Sequence, residues 1–157
     1  MTAVILVTGM SGTGKSTALR ELARRGHRVV DTDTGGWVEE SGGERQWRED
    51  RIDALLTGHE RTGTPLFLAG TVRNQGRFYP RFTEVVLLSA PLPLMLDRVA
   101  ARDTNPFGKT AAERARIVAD TAEVEPLLRA SATVEIDTRL SVTEVADRLA
   151  ALAGVRP

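Results

Sequence analysis

The chain reads as an α/β protein: a five-stranded parallel sheet with helices on both faces. Three observations predict this. Short apolar, β-branched runs alternate with segments of helical spacing over the whole length, which is the pattern of a parallel sheet whose crossovers are helices. The strand-like run Ala3–Val7 is continuously apolar, and so is Glu84–Leu88 after its first residue, as strands buried on both faces are. At 157 residues, with 41% hydrophobic and 27% charged residues, the chain is sized and composed as one globular domain spanning residues 1–157.

Taken in order, Ala3–Val7 is the first strand, and Gly9–Gly14 is a glycine-rich turn. Ser16–Arg25 is a helix, with Ala18, Leu19, Leu22 and Ala23 on one face and Gly26 after its end. Arg28–Asp31 is a second strand. Gly35–Gly43 reads as a loop and Glu44–Gly58 as a helix. Pro65 leads into a third strand, Leu66–Ala69, followed by a loop over Gly70–Pro80, where Gly76 and Pro80 argue against a helix. After the fourth strand, Pro91 sits at the start of a helix that runs to Arg102. Asp103–Lys109 is a polar loop. Thr110 and Glu113 have capping-box spacing for the next helix, which runs to about Arg129. Val134–Asp137 is the fifth strand. Ser141 and Glu144 repeat the capping-box spacing before a last helix that ends near Ala153.

Charge and composition exclude several classes. Lys+Arg and Asp+Glu both total 21, so the chain lacks the basic excess of a general nucleic-acid binder. There is no cysteine, hence no disulfide and no thiolate metal site. The N-terminal run is too short for a signal peptide, and no stretch reaches membrane-spanning length, so a cytoplasmic location is expected. The basic residues are 19 Arg against only two Lys, Lys15 and Lys109, and each lysine follows a glycine.

One of those lysines completes a motif. Gly9-Met10-Ser11-Gly12-Thr13-Gly14-Lys15-Ser16 fits G-x-x-x-x-G-K-[ST], between a strand and a helix as the motif requires. Glycines let backbone N–H groups approach a phosphate, and the helix N-terminus behind them adds partial positive charge. Lys15 would reach the β- and γ-phosphates, and the Ser16 hydroxyl would ligate Mg²⁺. Gly9 through Thr17 are therefore candidate ATP-binding residues, with ATP and Mg²⁺ as the expected ligands. A guanine-reading N-K-x-D or T-K-x-D is missing, so a regulatory GTPase is not expected. The chain is also short for an oligomeric motor ATPase.

With the P-loop, the segments Val29-Val30-Asp31-Thr32-Asp33, Arg98 with Arg102, and Ala132–Thr138 make the chain resemble the small P-loop kinases, which include shikimate kinase and the nucleoside monophosphate kinases. The resemblance implies a P-loop NTPase fold of the nucleoside monophosphate kinase type, with a short lid at about 103–110. It implies an ATP-dependent phosphotransferase. Asp31 would stand near the metal, beside Ser16. Asp33 would meet the acceptor hydroxyl as general base or positioning group, although an Asp there also caps turns. Arg98 and Arg102 would contact adenine or the transferred phosphate, or be ordinary solvated helix charges. Thr138 would border the nucleotide. Lys109 is either a phosphate clamp or a solvated lysine.

The acceptor side would draw on Asp33, Trp37, Trp47, Arg48, Gly70, Arg73, Asn74 and Gln75, with Arg48 matching a carboxylate-binding arginine. Arg73, Arg77 and Arg81 form a basic loop. Shikimate kinases carry a glycine triplet where Ala69-Gly70-Thr71 stands, and an arginine where Val124 stands. The acceptor therefore stays open among shikimate-like acids, sugars, nucleosides and nucleotides. A polynucleotide 5′-hydroxyl kinase is an alternative, as is a non-catalytic ATP-binding module or slow ATPase.

Overall fold

A computed structural model describes residues 2–103 and 107–155. Five strands form one parallel sheet: β1 (Val4–Thr8), β2 (Arg28–Asp31), β5 (Leu66–Ala69), β6 (Glu84–Ser89) and β7 (Val134–Asp137), in the order β2-β5-β1-β6-β7. The central strand β1 is wholly buried, as its apolar run requires. Register places Val7 beside Ala69 and Val86, and Asp31 beside Ala69, so the carboxyl ends of these strands lie level. Open parallel sheets bind ligands at this edge.

Helices cover both faces. On one, α1 (Lys15–Arg24) and α5 (Val142–Leu152) pack Leu19, Leu22, Val145 and Leu149 against Ile5, Val7, Phe67 and Val86. On the other, α2 (Glu49–His59) sets Ile52 and Leu56 against Leu6, Leu66 and Leu68, together with Trp47, Phe78 and Phe82. The helices α3 (Leu92–Ala101) and α4 (Ala111–Ser131) complete the chain. Both capping positions hold: the Thr110 and Ser141 side chains accept from the N–H groups of Glu113 and Glu144. Among the described residues no helix is long and apolar enough to cross a membrane.

Three expected segments differ. The expected loop over Gly35–Gly43 and helix from Glu44 are instead an antiparallel hairpin, β3 (Val38–Ser41) and β4 (Glu44–Trp47), and α2 starts only at Glu49. Gly42 and Gly43 have φ of +61° and +80°, the two positive values a two-residue hairpin turn demands. Trp47 is fully buried, and its indole N–H donates to the Thr32 hydroxyl at 2.9 Å, which fastens the hairpin to the sheet. The segment Gln75–Arg81 is a 3-10 helix rather than a loop. Its shorter turn accommodates Pro80, and Phe78 and Gln75 are buried beneath it. Of the expected lid, Thr104, Asn105 and Pro106 lie outside the described residues.

Candidate active site

The loop from β1 to α1 carries the phosphate-binding geometry. Gly12 has φ +83°, and a Cβ there would lie 2.5 Å from the Met95 carbonyl oxygen; a Cβ on Gly9 would lie 2.6 Å from that of Leu88. Larger residues at either place would push the loop off α3 or β6. Thr13 is buried and its hydroxyl donates to the Met10 carbonyl at 2.8 Å. Gly14 gives α1 no side-chain cap, so uncapped first-turn N–H groups of Lys15, Ser16 and Thr17 border the cleft. Unpaired donors at a helix start are an anion site in waiting.

Lys15 is half-buried, not exposed as a loop–helix junction suggests. Its ammonium donates to the carbonyls of Gly9 (2.5 Å) and Met10 (3.2 Å), curled into the loop it serves. Burial lowers its pKa, while the nearby carboxylates of Asp33 and Asp31 oppose that shift.

Asp31, at the end of β2, joins two parts of the site. One carboxylate oxygen accepts from the Ser16 hydroxyl at 2.9 Å and the other from the Asp33 N–H at 3.1 Å. Serine hydroxyl and carboxylate together are the hard oxygen ligands a magnesium ion takes, directly or through its waters. Asp33 borders the main cleft, with Arg45 of β4 3.5 Å away. Across the cleft, Arg102 donates to the Phe107 carbonyl at 2.9 Å; burial lowers its pKa and Asp33 acts against this.

Arg98 and Thr138 meet each other. The guanidinium donates to the Thr138 hydroxyl (2.9 Å), the Thr138 carbonyl (2.6 Å) and the Gly12 carbonyl (3.2 Å). Arg98 thus braces the crest of the P-loop against the β7–α5 turn while lining the same cleft of about 940 Å³.

The remaining expected acceptor residues fall outside that cleft's lining. Gly70 has a packing reason: a Cβ there would lie 2.3 Å from the Thr32 hydroxyl oxygen and 3.2 Å from the Trp47 ring. Arg48 lies 3.8 Å from Glu39, and Arg73 is paired with Glu44. Asn74 and Gln75 are structural. Asn74 accepts from the Trp47 N–H at 2.8 Å, and Gln75 donates to the hydroxyls of Thr8 and Tyr79. Arg77 and Arg81 are bound to Glu49 and Asp53 of α2.

Several cleft residues escaped the sequence reading. The Thr71 hydroxyl donates to the Gly9 carbonyl at 2.6 Å and lies 3.0 Å from the Thr8 hydroxyl, so a chain from Gln75 through Thr8 and Thr71 holds the start of the P-loop. Glu40 and Arg45 also border the cleft, from the hairpin. Glycine-glycine between two four-residue runs was the signal for them. No signal short of the fold itself marks Thr71.

The profile of the AAA domain family matches residues 5–119, which covers the P-loop, Asp31, Asp33, the hairpin, Arg98 and Arg102. The chain belongs to the AAA domain family. No curated protein resembles it in sequence. Among solved structures, this AAA domain is similar to shikimate kinase from Acinetobacter baumannii in complex with shikimate: TM-score 0.66, 24% identity, covering 97% of this chain and 93% of that one. It is also similar to an unliganded sugar kinase from Janibacter sp. HTCC2649 (TM-score 0.62, 18% identity, 100% and 97% covered). A gluconokinase from Sinorhizobium meliloti 1021 is a third (TM-score 0.59, 17% identity, 97% and 91% covered). At these identities the likeness is one of fold, and that fold is the one expected from the P-loop kinases.

Proposed function

We propose that this AAA domain is a single-domain, cytosolic, ATP- and Mg²⁺-dependent kinase that transfers the γ-phosphoryl group to a hydroxyl of a small polar acceptor. The observation that carries the reading is the position of Asp33. Its carboxylate stands on the cleft that holds Lys15 and the P-loop, two residues from the carboxylate bonded to Ser16. A carboxylate at that mouth is placed to orient an acceptor hydroxyl and take its proton.

Magnesium, held by Ser16 and Asp31, would neutralise phosphate charge. The uncapped N–H groups of α1 and the Lys15 ammonium would take the phosphate oxygens, in place of the carbonyls Lys15 now touches. Arg102 would add charge on the opposite wall. Asp33 would orient the acceptor hydroxyl and take its proton. Most of the rate enhancement would come from positioning and preorganised charge. The Arg73–Arg77–Arg81 segment does not favour a polynucleotide end as acceptor, because each of these arginines is paired with an acid of β4 or α2.

The test is an acceptor screen with γ-labelled ATP, covering shikimate-like acids, sugars, nucleosides, nucleotides and 5′-hydroxyl oligonucleotides. Label moving to a small hydroxyl compound supports the reading. ATP binding without acceptor-stimulated turnover would leave a binding module or slow ATPase, and label on the oligonucleotides alone would make it a polynucleotide kinase.

A further inference from the structure

We infer that the acceptor carries no anionic group: the cavity beside Asp33 is built for a neutral or ammonium-bearing polyol and selects against carboxylates and phosphates. The inference rests on the kinase reading of the same cleft and narrows its substrate class.

A second cavity, of about 270 Å³, lies between the β2–β3 loop and the hairpin. Asp33, Glu40 and Arg45 line both it and the P-loop cleft. A small acceptor there would reach toward the phosphates past Asp33. The charged residues lining it are Asp33, Glu39, Glu40 and Arg45. Successive side chains of β3 project to opposite faces, Glu39 toward Gln46 and Arg48 and Glu40 on the face of Arg45, so two carboxylates, Asp33 and Glu40, stand against one guanidinium.

That guanidinium is engaged: Arg45 stands 3.5 Å from Asp33. The arginines around the rim are engaged as well. Arg48 lies 3.8 Å from Glu39. Arg51 donates to the carbonyls of Gly35 (3.2 Å) and Gly36 (2.7 Å) and stacks 4.6 Å from the centre of the Trp37 ring. Arg73 is bound to Glu44. Glu40, by contrast, has no side-chain hydrogen bond or ion pair among the described residues. Lys15 and Arg102 belong to the phosphate end.

An anionic acceptor would therefore enter a lining of net negative charge. To gain a guanidinium it would have to draw Arg45 from Asp33, the carboxylate that must meet its own hydroxyl. A hydroxyl or ammonium donor meets no such conflict. It finds acceptor oxygens on Asp33 and Glu40. Selection by unpaired like charge is a common route to specificity.

The experiment uses matched probes: four-, five- and six-carbon polyol chains and a hydroxylated cyclohexane ring, each as the alcohol, the primary amine and the carboxylate. Binding is followed by NMR through the backbone amides of residues 33–45 and the Trp37 indole, and transfer is then measured with ATP and Mg²⁺. Expected is a Kd for the alcohol or amine at least tenfold below that of the carboxylate on every skeleton that binds. Glu40→Gln should narrow this gap severalfold. Tightest binding of a carboxylate member, or no shift of these signals by any probe, would overturn the inference. Alcohol or amine binding at the hairpin without acceptor-dependent ATP consumption would sink the kinase reading while leaving the selectivity standing.

Discussion

Lys15 donates to backbone carbonyls of its own loop and belongs to neither hydrophobic core, so removing its side chain leaves both cores intact. Lys15→Ala should keep its circular dichroism spectrum and lose about 10²-fold or more in turnover, the usual cost of removing one preorganised donor at developing charge. Unchanged kinetics would contradict its role. Asp33→Asn should lower kcat by about 10²–10⁴-fold with little change in ATP affinity, because it removes a proton acceptor and leaves the phosphate end intact. A loss confined to ATP affinity would place Asp33 with the nucleotide instead.

His59 gives a pH dependence. It is fully buried; its Nδ1 faces the Arg28 guanidinium, which only donates, so the ring is neutral with Nε2 donating to the Ala3 carbonyl. Burial, chiefly, lowers its pKa below 6.5. A depressed folded value means its contribution is complete above about pH 6.5 and is lost as pH falls through the folded value. The melting temperature should therefore drop more steeply between pH 7 and 5 in the parent than in His59→Gln; parallel curves would contradict this. The P-loop, Asp31 and Asp33 were legible because motif and strand end mark them locally. The engagement of Arg98 with Thr138 was not, since it joins residues forty positions apart.

At the scale of elements, the hairpin separates what sequence reveals from what it hides. Strands and helices around the sheet follow from apolar period and capping residues. Val38–Trp47 is too polar and short for period alone, and only the paired glycines betray it. What holds the hairpin is tertiary: Trp47 under Phe78 and Phe82, bonded to Thr32, with Gly70 leaving room. Trp47→Ala should destabilise by about 3–5 kcal/mol in denaturant unfolding, the range for emptying a buried aromatic site. Gly70→Ala adds one methyl in a tighter place, and overpacking of this kind costs about 1–3 kcal/mol. It should lower affinity for acceptor more than for ATP, because Thr32 and the hairpin must move while the P-loop need not. Equal loss for both ligands would contradict that division.

Over the whole molecule, the parallel sheet brings the ends of β1, β2 and β5 to one edge, and everything proposed here happens there. Two separate cores support that edge, one under α1 and the nucleotide side, the other under α2 and the hairpin. In the proposed reading this arrangement would give nucleotide and acceptor each its own structural backing, with Asp31 and Asp33 between them. Phosphoryl transfer across that junction is the central claim. Phosphorus NMR of ATP, Mg²⁺ and the acceptor panel tests it most directly, because one spectrum separates phosphoester from inorganic phosphate. The account predicts ADP together with an equal amount of a new phosphoester, formed by the parent protein and suppressed in both Lys15→Ala and Asp33→Asn. ADP accompanied only by inorganic phosphate, at a rate no acceptor changes, would contradict it.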